Sequence, residues 1–132
     1  MPDLGTVATV TRYALGGIRI VNGTLGLLAP AVIQKRLGDP VPDRNAAAIY
    51  GLRLFGVRTV VLGADLIRLR GKALRHAVRA APLIHASDTA TVLILHHNKQ
   101  LPPEMARPLA LISGLNTVLA VTAFLAGRRR RS

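Results

Sequence analysis

Five residues that could do chemistry stand inside segments of this chain that are otherwise apolar. They are Arg19, Arg58, Asp65, His85 and Asp88. Guanidinium and carboxylate groups form ion pairs, and an imidazole can also exchange a proton near neutral pH. Charged groups within long apolar segments are rare and mark either a structural pair or a functional site. These five residues are therefore the candidate polar cluster of the chain.

Helical spacing predicts which of these groups pair with one another. Arg58 and Asp65 are seven residues apart, which places them on one face of a helix. If their segment begins near residue 47 on one side of a bilayer, Arg58 lies about 16 Å deep, and Asp88 lies about 12 Å from the opposite side. We therefore predict an Arg58–Asp88 ion pair. Asp65 lies closer to the surface, within reach of either Arg68 or Arg19.

The histidines could suggest a metal site or a proton relay. His85 and Asp88 are one helical turn apart, and His96 shares their face. However, eleven residues separate His96 from His85, which is about 16 Å along a helix and too far for one set of metal ligands. A proton-handling role for His85 stays open, because imidazole titrates near neutrality.

Other kinds of catalytic chemistry find little support in the sequence. The chain has no cysteine, which excludes disulfides, thiolate metal ligands and a cysteine nucleophile. The common hydrolase, metalloprotease and nucleotide-binding motifs do not occur. We predict no catalytic residue, no cofactor and no bound metal, and a non-enzymatic protein is favoured over an enzyme.

The elements that carry the polar cluster are four apolar segments, which span residues 13–33, 46–67, 80–98 and 108–127. The last segment has twenty residues without a charge, enough at about 1.5 Å per residue to cross a ~30 Å hydrocarbon core. The linkers at 34–45, 68–79 and 98–107 collect charges and prolines. We predict an all-α fold: one domain over residues 1–132, a four-helix transmembrane bundle with short loops and inward-facing charges.

The composition favours a membrane protein over a soluble basic one. Half of the residues are hydrophobic, although the net charge is +12. A helical protein that binds nucleic acid should carry basic residues along an exposed helix face. Here the basic residues gather at the ends of the apolar segments. We predict no nucleic-acid partner, and a soluble nucleic-acid-binding protein is the remaining alternative class.

The distribution of lysine and arginine predicts the orientation in the membrane. With four spans, the N-terminal segment, the middle linker and the C-terminal tail share one side and hold ten of these residues, against five in the other two linkers. By the positive-inside rule, both termini are cytoplasmic and the protein is a multi-pass cell-membrane protein. The C-terminal Arg128, Arg129, Arg130 and Arg131 should contact anionic lipids of the cytoplasmic leaflet.

Two segments share a short pattern of glycine, an aliphatic residue and arginine. They are GGIRIVNGTLG at 16–26 and FGVRTVVLG at 55–63. Glycines permit close approach of helix backbones within a membrane. We therefore expect these two helices to pack closely beside their arginines.

Three stretches of the sequence belong together in one comparison, namely GIRIVNGTLGLLAP, RLFGVRTVVLGADLI and HASDT. Taken together, they resemble uncharacterised small four-helix integral membrane proteins of high-GC bacteria. The resemblance covers about residues 13–95 and implies a membrane bundle with Arg19, Arg58, Asp65 and Asp88 at characteristic positions. It implies no known activity. Two functions stay open: a bundle that scaffolds or assists a larger membrane system, and a small-molecule or proton-linked protein that uses the polar cluster. The partner could be a second copy or another membrane protein.

Overall fold

The computed structural model describes residues 2–129, except the side chain of Asp43. Regular structure in this range is entirely helical. The helices are α1 (Leu4–Leu28), α2 (Pro30–Arg36), α3 (Ala46–Arg68), α4 (Gly71–His97) and α5 (Pro103–Arg129), with a 3₁₀ turn at Pro42–Arg44. The predicted all-helical fold is therefore confirmed for the described residues.

The first predicted helix is in fact two helices with a sharp bend between them. The Asp3 carboxylate accepts a hydrogen bond of 2.8 Å from the Thr6 N–H, which caps the start of α1. Ala29 leaves the helical conformation because the following Pro30 disfavours it, and Pro30 then begins α2. The axes of α1 and α2 differ by 105°. The prediction of one helix over 13–33 was thus wrong in both its start and its continuity.

The predicted linker at 68–79 was also wrong, because most of it is helical. α3 ends close to its predicted boundary, and only Leu69 and Arg70 separate it from α4. The segment that follows is rich in alanine, leucine, lysine and arginine, which are good helix formers, and charge alone does not interrupt a helix. α4 continues through Pro82, which removes one backbone donor without ending the helix.

The four long helices pack side by side, with α1 against both α3 and α5. α4 packs mainly on α5 and more lightly on α3, and few backbone contacts join α1 to α4. Residues near the start of α1, the start of α4 and the end of α5 line one common cavity. Both termini of the described chain therefore lie at the same end as the α3–α4 connection.

The interior contains mostly small side chains, whereas many large apolar side chains lie outside. The buried cluster consists of Leu15, Leu66, Ala81 and Ala120. The exposed fractions of Leu28, Leu83 and Leu111 are 73%, 75% and 74%, respectively. α5 includes the predicted segment 108–127 and begins earlier, at Pro103.

Two helices of the described chain are long and apolar enough to cross a membrane, namely α3 and α5. A third span is added if α1 and α2 are counted together despite their bend. α4 does not meet the same criterion on its own. Two or three potential spans are therefore shown.

Candidate functional site

The centre of the site is a hydrogen bond between the two helices that share few backbone contacts. Arg19 of α1 and His85 of α4 are 2% and 3% exposed, and Arg19 Nη1 lies 2.6 Å from His85 Nε2. A guanidinium group can only donate, so Nε2 must accept, and the ring proton is assigned to Nδ1. His85 therefore acts as an acceptor towards α1 and directs its remaining N–H away from Arg19.

Asp88 extends this contact towards the flank of the molecule. Its Oδ2 lies 3.9 Å from His85 Nδ1, and its Oδ1 lies 3.5 Å from Arg58 Nη2 of α3. The predicted Arg58–Asp88 pair is therefore present. The expectation that Arg58 faces inwards is wrong, because its side chain is 53% exposed. The Asp88 side chain is 34% exposed. We call the four residues Arg19, His85, Asp88 and Arg58 the polar chain, which runs from the interior to the flank.

Asp65 is not part of the polar chain. Its Oδ1 accepts two hydrogen bonds from Arg68, at 3.1 and 3.2 Å, within the last turn of α3. This was one of the two partners predicted from the sequence, whereas Arg19 contacts His85 instead. The structure thus brings together four of the five candidate residues.

The face of α3 that packs inwards is made mostly of small residues and carries no charge. Its buried residues are Gly56, Thr59, Gly63 and Leu66. Arg58 lies on the flank of the same helix, towards α4. Small residues take the interior position because they let two backbones approach closely, which a charged side chain does not permit.

The expected close approach of the two glycine-containing helices is present between α1 and α3. A Cβ atom at Gly56 would lie 2.6 Å from the Gly23 oxygen, and one at Gly63 would lie 2.8 Å from the Gly16 oxygen. The pairing shows that α1 and α3 are antiparallel. Because Arg19 lies midway between the two α1 glycines and Thr59 midway between the two α3 glycines, these two residues are at the same level. We call this contact the glycine seam.

Buried polar residues that sequence reasoning did not connect to the site lie near the same level. Thr59 is 5% exposed and Asn116 of α5 is 8% exposed. Next to Asn116, Thr117 forms a 3.2 Å hydrogen bond with Thr89, whose hydroxyl also donates to the His85 carbonyl. Each of the four long helices therefore contributes a buried polar side chain to the centre. The seven-residue glycine spacing in both helices was the sequence signal that could have identified Thr59.

Several of these buried polar atoms have no protein partner in the described part of the chain. They are Arg19 Nε, Thr59 Oγ1 and Asn116 Oδ1, together with both side-chain polar atoms of Gln34 in α2. The Ser87 and Ser113 hydroxyls donate to carbonyl groups of their own helices. The centre thus retains hydrogen-bonding capacity that the protein itself does not use.

The remaining candidate residues lie at the end of α5. Arg128 and Arg129 are exposed in the last turn, and the Arg128 guanidinium lies 5.5 Å from the centre of the Phe124 ring. Arg130 and Arg131 lie outside the described residues. Within the described range, no group of three or more histidine, aspartate or glutamate side chains could hold a metal ion.

No protein-family model matches this chain. Comparisons with the curated proteins and with the solved structures also find no match. Function is therefore inferred from the packing and from the polar groups described above.

Proposed function

We propose that this chain is a small multi-pass protein of the cell membrane and that it scaffolds or assists a larger membrane system without catalysing a reaction. In this proposal its four long helices form a transmembrane bundle whose termini are both cytoplasmic. Its partners are anionic lipids and either a second copy or another membrane protein. The proposal includes the relationship of residues 13–95 to uncharacterised small four-helix membrane proteins that the sequence suggests.

The distribution of apolar side chains carries the membrane assignment. Large apolar side chains such as Leu28, Leu83 and Leu111 lie outside, while alanine and glycine fill many of the contacts between helices. In water, each Å² of exposed apolar surface costs roughly 25 cal/mol of free energy. Contact with lipid tails does not carry this cost. Close backbone packing through small residues is also a driving force for helix association in lipid.

The proposed orientation is supported by the charges at one end of the fold. The end that holds both termini also holds Arg12, Arg75, Arg79 and Arg128. By the positive-inside rule, this end should face the cytoplasm. The charges of α4 gather in its first half, so the segment that follows can still cross the membrane if its neighbours cover Asp88.

The polar contacts support a structural role. Arg58–Asp88 joins α3 to α4, Arg19–His85 joins α1 to α4, and Thr89–Thr117 joins α4 to α5. α4 is the helix that is least apolar among the four long helices, and it takes part in all three contacts. Interhelical polar pairs of this kind can hold such a helix in a bundle without any catalytic function.

Membrane fractionation and topology mapping test the proposal. After an alkaline carbonate wash, we expect the protein to stay in the membrane pellet, and recovery in the supernatant would contradict the membrane assignment. Reporters fused after residue 132 and inserted in the 34–45 segment should report opposite sides. If both report the same side, one span is missing, and α4 is the first helix to examine.

A second candidate function, proton or small-molecule handling, is favoured by one observation. Arg19 Nε, Thr59 Oγ1 and Asn116 Oδ1 are buried near the Arg19–His85 contact and have no partner in the described part of the chain. Buried polar groups usually bind protein, water or a ligand. Proton flux into proteoliposomes, followed with a pH-sensitive dye, separates the two candidates. Flux that His85→Leu abolishes would favour proton handling, and no flux above empty liposomes would favour scaffolding.

A further inference from the structure

A cavity of about 410 Å³ lies at the end of the fold that holds both termini. It is formed by the start of α1, the first half of α4 and the last turns of α5. Four arginines line it, namely Arg12, Arg75, Arg79 and Arg128. None of the described residues that line the cavity is an aspartate or a glutamate. The cavity is thus a concentration of positive charge contributed by three helices.

Two of these arginines are held in place by aromatic rings, and one of them has unused hydrogen-bonding capacity. The Arg12 guanidinium lies 4.5 Å from the centre of the Tyr13 ring, and that of Arg128 lies 5.5 Å from the centre of the Phe124 ring. These distances fit cation–π contacts, which orient the guanidinium groups. Arg12 Nη1 is buried and has no hydrogen-bond partner among the described residues. Since buried N–H groups are nearly always satisfied, this donor has capacity for one further hydrogen bond.

We propose that this cavity binds a phosphate group through Arg12, Arg75, Arg79 and Arg128. Guanidinium groups match the geometry of phosphate oxygens and form short charge-assisted hydrogen bonds with them. Like charges gathered around one cavity repel one another, and a bound anion relieves that repulsion. The volume falls in the range of about 300–1,000 Å³ that is usual for ligand sites.

The rest of the lining indicates what the phosphate group is attached to. Leu74, Val78 and Phe124 give the cavity an apolar portion beside the arginines. This combination suits a phosphate ester that carries an uncharged organic part. Two sources share this chemistry: an anionic phospholipid, whose headgroup would lie at this end of a membrane protein, and a soluble phosphate ester. Only the lipid source depends on the proposed membrane location.

Binding to the full-length protein in a nonionic detergent tests the proposal. The probes are phosphatidylglycerol, zwitterionic phosphatidylcholine and soluble glycerol phosphate, each followed by native mass spectrometry and by the shift of the thermal unfolding midpoint. We expect at least one of the two anionic probes to bind more tightly than phosphatidylcholine. Binding of phosphatidylglycerol alone identifies a lipid site, and equal binding of glycerol phosphate identifies a soluble ligand. Equal binding of phosphatidylglycerol and phosphatidylcholine, with no binding of glycerol phosphate, would overturn the proposal.

Charge variants test whether the four arginines form the site. Arg12→Gln/Arg79→Gln should weaken binding roughly a hundredfold, because each lost hydrogen bond to a charged group accounts for about tenfold. The control Arg36→Gln/Arg44→Gln removes the same charge from exposed positions that do not line the cavity and should bind as the wild type does. An equal loss in both variants would show diffuse attraction to a basic protein and would overturn the site. If the first variant does not fold, Arg75→Gln/Arg128→Gln replaces it with the same expectation.

A variant that fills the cavity without changing any charge gives an independent test. A Cβ atom at Gly127, which lines the cavity, would contact no described residue within 4 Å. Gly127→Leu should therefore fold and reduce binding at least about tenfold by occupying the space. Gly114→Leu is the matched control, since it lies on the same helix, has the same free space and does not line the cavity. Unchanged binding by Gly127→Leu would place the anion outside this cavity.

Discussion

Helix α3 contacts the long helices α1 and α4 in two different ways. Against α1 it uses the glycine seam, in which the backbones approach so closely that a Cβ atom at Gly56 would lie 2.5 Å from the Leu27 nitrogen. Against α4 it makes few backbone contacts and forms the 3.5 Å Arg58–Asp88 pair at a half-exposed flank. The first contact depends on the absence of side chains, and the second depends on two side chains of opposite charge.

The difference shows how small residues and charges divide their roles in this fold. Van der Waals packing between backbones is dense and tolerates no added volume. A polar pair at a flank can change its length and its surroundings, and half of the Arg58 side chain remains accessible. We therefore expect substitutions in the glycine seam to destabilise the fold most, and those in the peripheral polar contacts least.

The largest effect is expected from Gly56→Ala in the glycine seam. The new methyl group would collide with backbone atoms of α1, which cannot move independently, so the free energy of unfolding should fall by about 3 kcal/mol, the upper part of the usual overpacking range. Unfolding in mixed detergent micelles measures this change. Gly51→Ala is the control on the same helix, because its Cβ would meet no described residue within 4 Å, and it should be neutral or slightly stabilising.

The next effect is expected at the centre of the polar chain. His85→Leu removes the acceptor of Arg19 and leaves a buried guanidinium group without it, which should cost about 2 kcal/mol, as for other hydrogen bonds to charged groups. The same unfolding assay measures the loss, with the exposed His97→Leu at the end of α4 as control. If Arg19→Leu/His85→Leu is no more stable than the His85→Leu variant, the Arg19–His85 contact does not explain the loss.

A smaller effect is expected from the Arg58–Asp88 pair. A fully buried pair would lose roughly 3–5 kcal/mol when one partner is removed, but the exposure of Arg58 reduces this expectation. We predict a coupling energy of about 1 kcal/mol in a cycle of Arg58→Leu, Asp88→Leu and the double variant, in which the double variant recovers part of the loss of each single variant. Strictly additive effects would contradict the pairing.

The smallest effect is expected from the hydroxyl contact between α4 and α5. Thr117→Val keeps the shape of the side chain and removes its 3.2 Å hydrogen bond to Thr89. The expected loss of stability is about 0.6 kcal/mol, the average for interhelical hydrogen bonds in a membrane. A loss larger than that of the His85→Leu variant would reverse the predicted order and place the central polar contact at these two threonines.

Much of the fold could be predicted from local patterns, and the two largest departures have physical causes. The boundaries of α3 and the helical nature of 108–127 followed from long apolar segments. The linker assigned to 68–79 was wrong because a run of basic residues was taken to end a helix, although lysine and arginine favour helices. The sharp bend at Ala29 was missed because Pro30 was counted within an apolar segment and not as the start of a new helix.

The candidate site was predictable only as far as depth and helical spacing could determine it. Equal depth identified Arg58 and Asp88, which the structure places within 3.5 Å. The same argument could not place Arg19 against His85, because depth does not show which helices face each other across the interior of the fold. The sequence argument also placed the charges of α3 on its inward face. In the structure, the inward face of α3 is instead the one that carries the glycines at 56 and 63.

The sequence by itself determined that the chain is helical, that its apolar segments are long and that its basic residues gather at their ends. These properties depend on residue type and local spacing, which act within one or two helical turns. Only the tertiary structure decided that Asp65 pairs with Arg68 outside the polar chain and that four arginines from three helices share one cavity. Such arrangements depend on the rotation of each helix about its axis, and here the close approach of α1 and α3 at their glycines, together with the remaining helix contacts, sets that rotation.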